Sequence, residues 1–534
     1  MSKTNYNPYS VHSIPAFLGG MNTKMNPDEI QDFELADCEN FDVTEASIST
    51  APGFVLWDNK SLPGPYWGGF CFRKSTGYTV NIRQRQGKLE YSVDGTETWT
   101  QCTLPTSGSP ASQISLSQVP CTFAALNDIV LWSNGSENVM SSADGVTWTS
   151  RSSLPKSKVL FENAKNRILF LAQTGTNSQY RFDWCDINDP LTINANSYEL
   201  VDPNNYGYVI GAGRTPDGTT IVIKEAASYQ VADVVDTGLV DINFIGACTI
   251  TSHQSIATTN TGVIWLGKEG IYEYIGGQIR LISGRIARVG RNNVTKDYLA
   301  CGAFFDSKYY LSMPDAEISQ DYNSQEYVVH LMLARNDAVQ PYSITRNRRY
   351  FGCYFVQDSV SNNSRVLRLF VGDSRPLSTT GSPAVYVNKV FGWVNNNYDE
   401  NYTPGLGGEP QEAFFVTKYF TENVPYFNKK YKKFFSNLKT TQNIYITAFY
   451  RFVPYGPWTE KVISLSTGGY DFEEGFGFAE GFGLAALGQG TQYTDIENVE
   501  KPRGIQYKLY VYTSANVTFL DFAYSYILKP KFKQ

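Results

Sequence analysis

A chain of 534 residues is too long for one ordinary hydrophobic core, so two or three domains, or one large repeat body, are expected. A hydrophobic content of 42% excludes a disordered chain, and 36 Tyr and 32 Phe against 6 Met favour pleated sheet over helix. A formal charge of −6 argues against a dedicated binder of nucleic-acid phosphates, which needs a basic face, but allows a channel that a polyanion slides through.

In chain order, residues 1–26 read as an extended arm broken by Asn7-Pro8, Gly19-Gly20 and Asn26-Pro27. Asn26 is a capping residue, Pro27 suits a first helical position, and Asp28 and Glu29 complement a helix dipole. One short helix over 27–38 is therefore expected, with Ile30, Phe33 and Cys38 as its apolar face. The first residues lack the apolar stretch of a signal peptide, and no apolar run reaches the length of a membrane span.

From 54 to 395 the pattern is short apolar strands between turn residues, as at 78–83, 129–132, 167–172, 220–223, 262–266, 308–313 and 366–371. Such spacing suits a sandwich, a barrel or a propeller. A polar, Gly/Pro-rich stretch at 395–410 marks a domain boundary, and strands at 431–438, 444–451, 507–513 and 517–528 suggest a smaller β domain beyond it. The expected division is thus 1–53 arm and helix, 54–395 propeller-like body, and 396–534 C-terminal β domain. Residues 471–490 are Gly/Phe-rich; they read either as a surface loop or as a subunit contact through Phe476, Phe478 and Phe482. The basic run at 429–433 reads either as a solvated strand edge or as a contact through Lys432 and Lys433.

One motif occurs twice. Ser92-Val93-Asp94-Gly95 leads to Trp99, and Ser142-Ala143-Asp144-Gly145 leads to Trp148, 49 residues on (148 − 99). That period suits a propeller blade. Asp-Gly favours a tight turn, the Ser caps it, and the Trp anchors the hairpin against the sheet. The motifs resemble Asp-boxes, which are structural devices, so they imply architecture rather than activity.

No chemistry stands out. The eight cysteines are scattered, without metal-like or disulfide-like spacing, and read as reduced buried thiols. His12, His253 and His330 are the only histidines and read as structural, which leaves serine and cysteine nucleophiles without a marked base. A sialidase-like hydrolase would need an arginine cluster, a Tyr nucleophile and an acid, and no motif marks them. The expectation is no catalytic residue, no cofactor and no metal.

Five segments, in order, resemble the β-propeller tail proteins of bacteriophages, specifically the tail nozzle or head-to-tail stabilisation proteins of short-tailed phages. The first is Gly19-Gly20-Met21-Asn22 with Leu35-Ala36-Asp37-Cys38-Glu39-Asn40-Phe41-Asp42 and Ala51-Pro52-Gly53-Phe54. It departs from the family at Thr50-Ala51, where a basic residue commonly precedes Pro-Gly. The second is Trp184-Cys185-Asp186 with Asn188-Asp189-Pro190, and the third is 221–225 leading to Ser228-Tyr229. The fourth and strongest is 262–272, with Trp265, Gly267, Gly270 and Tyr272; the fifth is 303–311 with Pro314. The resemblance spans most of 16–315. It implies a non-enzymatic virion protein made in the host cytoplasm. It also implies a homo-hexamer that extends the head-to-tail channel, contacts adaptor and other tail proteins, retains packaged DNA and lets it pass without sequence-specific binding. The alternative class is a receptor- or glycan-binding tail tip protein.

Overall fold

The computed structural model describes residues 10–14, 17–44, 47–51, 55–56, 65–93, 98–107, 112–175, 178–231, 240–286, 296–315, 317–319, 321–333, 342–361, 364–374, 391–393, 411–423, 429–440, 444–465, 488–495, 502–513 and 517–528. Among them, seven four-stranded antiparallel sheets follow one another as the blades of a propeller.

Blade 1 is Tyr66–Arg73, Thr79–Arg85, Lys88–Val93 and Thr100–Gln101; blade 2 is Thr122–Leu126, Ile129–Ser133, Val139–Ser142 and Thr149–Arg151. Blade 3 is Ser157–Glu162, Ile168–Gln173, Arg181–Trp184 and Tyr198–Leu200; blade 4 is Val209–Arg214, Thr220–Lys224, Ala227–Val231 and Ile242–Ala247. Blade 5 is Ala257–Thr258, Val263–Leu266, Ile271–Ile275 and Gln278–Leu281; blade 6 is Cys301–Phe305, Lys308–Met313, Gln325–His330 and Ser343–Asn347. Blade 7 takes Phe351–Ser361, Ser364–Asp373 and Phe391–Trp393 from one end of the propeller sequence and its outermost strand, Val55–Leu56, from the other. Its first strand lies beside the first strand of blade 1, which closes the ring with a non-covalent clasp.

Burial explains which residues make the strands. The second strand of a blade has a strand on each side and a blade against each face, so it is buried throughout, as in Thr79–Arg85, Thr220–Lys224 and Val263–Leu266. In Thr220–Lys224 and Val263–Leu266 this reads as an apolar run rather than as alternation, whereas Thr79–Arg85 also buries Asn81, Arg83 and Gln84. Outermost strands such as Thr149–Arg151 and Tyr198–Leu200 are exposed, whereas Ser343–Asn347 of blade 6 is buried against Leu35–Glu39 and Phe41–Val43.

Apart from a small hairpin of Thr106–Ser107 and Ser112–Gln113, the remaining strands form two sheets. One has the order Phe41–Val43, Ile48–Thr50, Val517–Leu528, Lys429–Thr440, Gly488–Asp495, and Ser10–Ile14 also pairs with the end of Val517–Leu528. The other has the order Leu35–Glu39, Gln411–Thr417, Gln506–Thr513, Ile444–Arg451, Thr459–Leu465. Phe415, Leu509, Phe519 and Phe522 share one core with Met21 and Leu35, with Ile264 and Leu266 of blade 5, and with Leu311, Val329 and Ile344 of blade 6. That continuous core joins the propeller to the two-sheet body.

Two expectations for the N-terminal region change. Among the described residues, the segment expected as an N-terminal arm with a short helix supplies four strands of the C-terminal body. The helix over 27–38 does not form: the stretch before Glu34 is a series of turns, and Leu35–Glu39 is a strand on Gln411–Thr417. The capping signals were real but served a turn, in which Glu29 N–H donates to Asn26 O (3.0 Å). Tertiary burial then decides the rest. Leu35 and Cys38 enter the shared core while Phe33 faces solvent, and no single helical face could do both.

Candidate functional site

The second Asp-box is a complete hairpin between the third and fourth strands of blade 2. Asp144 Oδ1 accepts from the amides of Val146 and Thr147 (both 2.8 Å) and from Ser142 Oγ (2.8 Å). Ser142 Oγ in turn accepts from Gly145 N (2.9 Å), and Gly145 sits at φ +75°, where a side chain would be strained. Burial opposes the charged carboxyl of Asp144, but the amides of Thr147 and Val146 overcome it and hold its pKa below the ordinary value. Trp148 is buried against Phe123, and its amide donates to Thr103 O of the loop that leaves blade 1 (2.9 Å). The motif therefore also ties blade 1 to blade 2.

In blade 1 the first box has Ser92 near the end of the third strand and Trp99 immediately before the fourth. Asp94 and Gly95 lie outside the described residues, whereas Ser92 and Trp99 are buried. The guanidinium of Arg83 lies over the Trp99 ring at 3.8 Å, and Arg83 Nε also donates to Glu90 Oε2 (2.9 Å). In blade 5, Trp265 is fully buried and donates its Nε1 to Thr249 O (2.9 Å). Tyr272 stacks on it at 5.9 Å, and the amide of Gly267 donates to Gly270 O (2.8 Å), closing the turn between the two strands. These positions build blades; they do not converge on one another.

Gln254 carries a feature that its sequence context, Ser-His-Gln-Ser, did not signal beyond the histidine. Innermost strands from the blades surround a central cavity of about 290 Å³. Into it projects a 3₁₀ turn, His253–Ser255, whose Gln254 Nε2 donates to Trp67 O (2.6 Å) and Cys121 O (2.9 Å), on the far side of the ring. The channel is thus bridged by a side chain. His253 beside it is held neutral, its pKa pushed down to about 4 by burial and by the nearby Lys158 charge. Cys121 and Cys353 also line the cavity, and burial pushes both thiols well up, Cys353 to about 12, so neither is a nucleophile at neutral pH.

The densest polar constellation sits where propeller, N-terminal segment and C-terminal body meet. Gly20 has φ +62°, and a Cβ there would lie 2.7 Å from Ile344 N of blade 6, so only glycine allows this approach. Met21 N then donates to Ile344 O (2.9 Å), and Asn22 Nδ2 donates to Glu34 Oε2 (3.1 Å). Glu34 also pairs with Arg285, and Asp37 with Arg346 (2.9 Å). Asn40 donates to Glu412 O (2.7 Å) in the C-terminal body and accepts from Arg348 N (3.0 Å) beyond blade 6. Asp42 pairs with Lys308 and lies 3.2 Å from His330 Nε2. Burial pushes the His330 pKa down to about 4 in spite of Asp42, while Lys308 and His330 keep the buried Asp42 carboxyl below its ordinary range. His12 differs: its bond to Glu422 (3.0 Å) outweighs burial and raises its pKa.

Of the proposed subunit-contact residues, Phe476, Phe478 and Phe482 lie outside the described residues, as does the Lys432 side chain. Lys433 is half-buried in Lys429–Thr440, and its amide donates to Ser525 Oγ (3.1 Å). Among the described residues no group of three His, Cys, Asp or Glu could hold a metal ion.

Fold and site together define a seven-bladed β-propeller fused to a two-sheet β body. No family model matches the chain, and no curated protein does. Solved structures similar to it include YCF48 from Cyanidioschyzon merolae, at 11% identity and TM-score 0.36, covering 63% of this chain and 98% of that one. Another is a catalytically inactive virginiamycin B lyase from Staphylococcus aureus with quinupristin, at 12% identity and TM-score 0.38, covering 64% and 97%. A luciferin-regenerating enzyme is similar at 10% identity and TM-score 0.31, covering 64% and 94%. Likeness at this level says nothing about activity.

Proposed function

We propose that this chain is a structural component of a bacteriophage virion, a tail nozzle or hub. In this reading several copies, six by the family resemblance, extend the channel below the head, retain packaged DNA and let it out. The observation that carries the reading is the role of the residues on which the resemblance begins. Gly20, Met21, Asn40 and Asp42 weld the N-terminal segment to blade 6 and to the C-terminal body, and Asn22 braces that segment internally through Glu34. A motif that serves a junction fits a part that bears load between two bodies.

The propeller's own hole does not suit a DNA path. Gln254 bridges it, and a cavity of about 290 Å³ is far too small for a duplex whose major groove alone is about 12 Å wide. The conduit in this reading therefore lies between copies, and a net acidic chain limits sticking to the passing polyanion. Immunogold labelling of intact particles with an antibody to this chain tests the proposal. Gold at the stub beneath the head is expected. Gold only at distal fibres would favour a receptor-binding tip protein, and unlabelled particles would end the virion reading.

A further inference from the structure

We propose that the N-terminal strand Ser10–Ile14 is a latch controlled by one proton: it holds to the C-terminal body while the His12 imidazole is charged and lets go when that ring is neutral. The proposal goes beyond the virion reading and does not depend on it, because it concerns a movement within one chain.

The strand is lightly held. It has five residues, pairs along one edge with 522–526 near the end of Val517–Leu528, and among the described residues has no strand on its other edge. Alternation turns Val11 and Ser13 to solvent, Val11 at 62% exposure, and turns His12 and Ile14 to the body. Ile14 enters the shared core, and His12 is the one inward group of the strand whose charge can change. A ladder this short is weak by itself, so the state of His12 weighs on whether the strand stays.

His12 faces two carboxylates from two other segments of the chain. Its Nδ1 donates to Glu422 Oε2 (3.0 Å), and its Nε2 lies 3.5 Å from Asp32 Oδ2. The ring stacks on Tyr524 (5.2 Å, 6°) and packs against Phe420 (5.2 Å). The Glu422 side chain is only 5% exposed and also accepts from Tyr524 Oη. Lys418 is the nearby cation that opposes a proton on the ring, but its Nζ is bonded to Asp32 Oδ1 (3.0 Å), and its effect on His12 is smaller than that of Glu422. Lys429, on the neighbouring strand Lys429–Thr440, acts on Glu422 while its Nζ donates to Arg503 O (2.5 Å). Tyr431, Tyr507 and Tyr526 reach the same carboxylate from the sheets, and burial and Glu422 push their phenols up, so they stay neutral. The balance favours the imidazolium: the bond to Glu422 outweighs burial and raises the His12 pKa.

The direction of the switch follows. Both N–H groups of an imidazolium donate, and a bond from a charged donor to a carboxylate is about twice as strong as a neutral one. Loss of the proton removes one donor, ends the attraction to Asp32, and leaves the nearly buried Glu422 facing a neutral ring. Undocking carries His12 away from both carboxylates, so the ring returns to its ordinary value of 6.5, below the docked one. A raised docked value stabilises docking: that contribution is complete below 6.5 and is lost as pH rises through the docked value. Release uncovers the 522–526 edge and the faces of Tyr524 and Phe420 that the ring covers.

The test is amide hydrogen exchange of the full chain between about pH 6 and about pH 9, the range that a raised histidine titrates in. Protection of 10–14, corrected for the intrinsic pH dependence of exchange, is expected to fall severalfold with rising pH, while that of Gln506–Thr513 in the same body stays constant. Histidine-ring NMR gives the titration directly. One of the three histidines should titrate above 6.5, with the midpoint of the loss of protection, because His253 and His330 are held near 4. His12→Gln cannot be charged and should give a flat profile, and Glu422→Gln should move the midpoint down. Flat protection in the wild type, a fall shared equally by Gln506–Thr513, or a His12→Gln variant that keeps the wild-type pH dependence would each overturn the proposal. Immunogold labelling reads location alone, so the latch and the virion reading fail separately.

Discussion

Asp144→Ala isolates the Asp-box as a mechanical part. The substitution deletes three bonds, to the amides of Val146 and Thr147 and to Ser142 Oγ, each at 2.8 Å. Val146 and Thr147 are not buried, so their freed amides recover water and the penalty for a buried orphan donor does not apply. Trp148 stays packed on Phe123, which limits the damage to the turn. The net cost is therefore about 1–2 kcal/mol, near the net value of a few exposed-side bonds rather than of a core cavity. Amide exchange reads this locally: Val146 and Thr147 should lose protection, and the urea midpoint should fall modestly. Asp144→Asn, which keeps Oδ1, should restore most of both. The folded carboxyl titrates below its unfolded value, so its contribution is present above the ordinary carboxylate range and is lost as pH falls through the folded pKa. Unchanged exchange at Val146 and Thr147 in Asp144→Ala would refute the turn as a source of stability.

Other outcomes follow from the same geometry. Trp265→Ala empties a fully buried site in blade 5 and should cost about 4 kcal/mol in denaturant titration. His330 binds a proton at about pH 4 when folded and at about 6.5 when unfolded, so the unfolded chain takes up the proton first and stability drops as pH falls from 6.5 to 4. That drop amounts to about 3 kcal/mol, and His330→Gln should remove it from the melting-versus-pH profile. Deleting residues 1–56 should abolish cooperative melting of both bodies, because it strips four strands from one and the clasp strand from the other. Lys224→Met should speed amide exchange across 201–208, because the buried Lys224 ammonium donates to the carbonyls of Val201 (2.8 Å), Asp202 (2.6 Å) and Asn205 (2.6 Å).

The stretches legible as strands in the sequence were, in each of the seven blades, the second strand. The expected segments 129–132, 220–223 and 308–313 fall on Ile129–Ser133, Thr220–Lys224 and Lys308–Met313. Double-sided burial makes several of those strands largely apolar, as in Ile129–Ser133 and Thr220–Lys224, and it is this run of apolar residues that the sequence displays. Outer strands such as Tyr198–Leu200 are short and wet, and carry little periodic signal. The N-terminal strands were illegible for a different reason. Leu35–Glu39 finds its partner in Gln411–Thr417, and Asn40 bonds Glu412 across 372 positions, so local propensity pointed to a helix that long-range pairing overrode. The Asp-box was readable because its bonds are local; Gln254 and Lys224 were not, since each acts on carbonyls brought near only by the closed ring or its rim loop.

Closure and attachment in this fold depend on the same stretch of chain. Residues before 51 complete the two-sheet body, and Val55–Leu56 then completes blade 7, so the propeller cannot close while the N-terminal segment is elsewhere. Phe391 and Gly392, the partners of that strand, lie more than 300 positions away, which makes ring closure a late and non-local event. Once formed, the clasp and the junction at Gly20, Asn40 and Asp42 secure each other: pulling the C-terminal body from blade 6 must first extract a segment whose next residues are locked into blade 7. A force between the two bodies is therefore shared between a strand ladder and a buried core instead of falling on a linker. In the proposed nozzle, with packaged DNA on one side of the wall, such sharing of load between two bodies is what the wall would need.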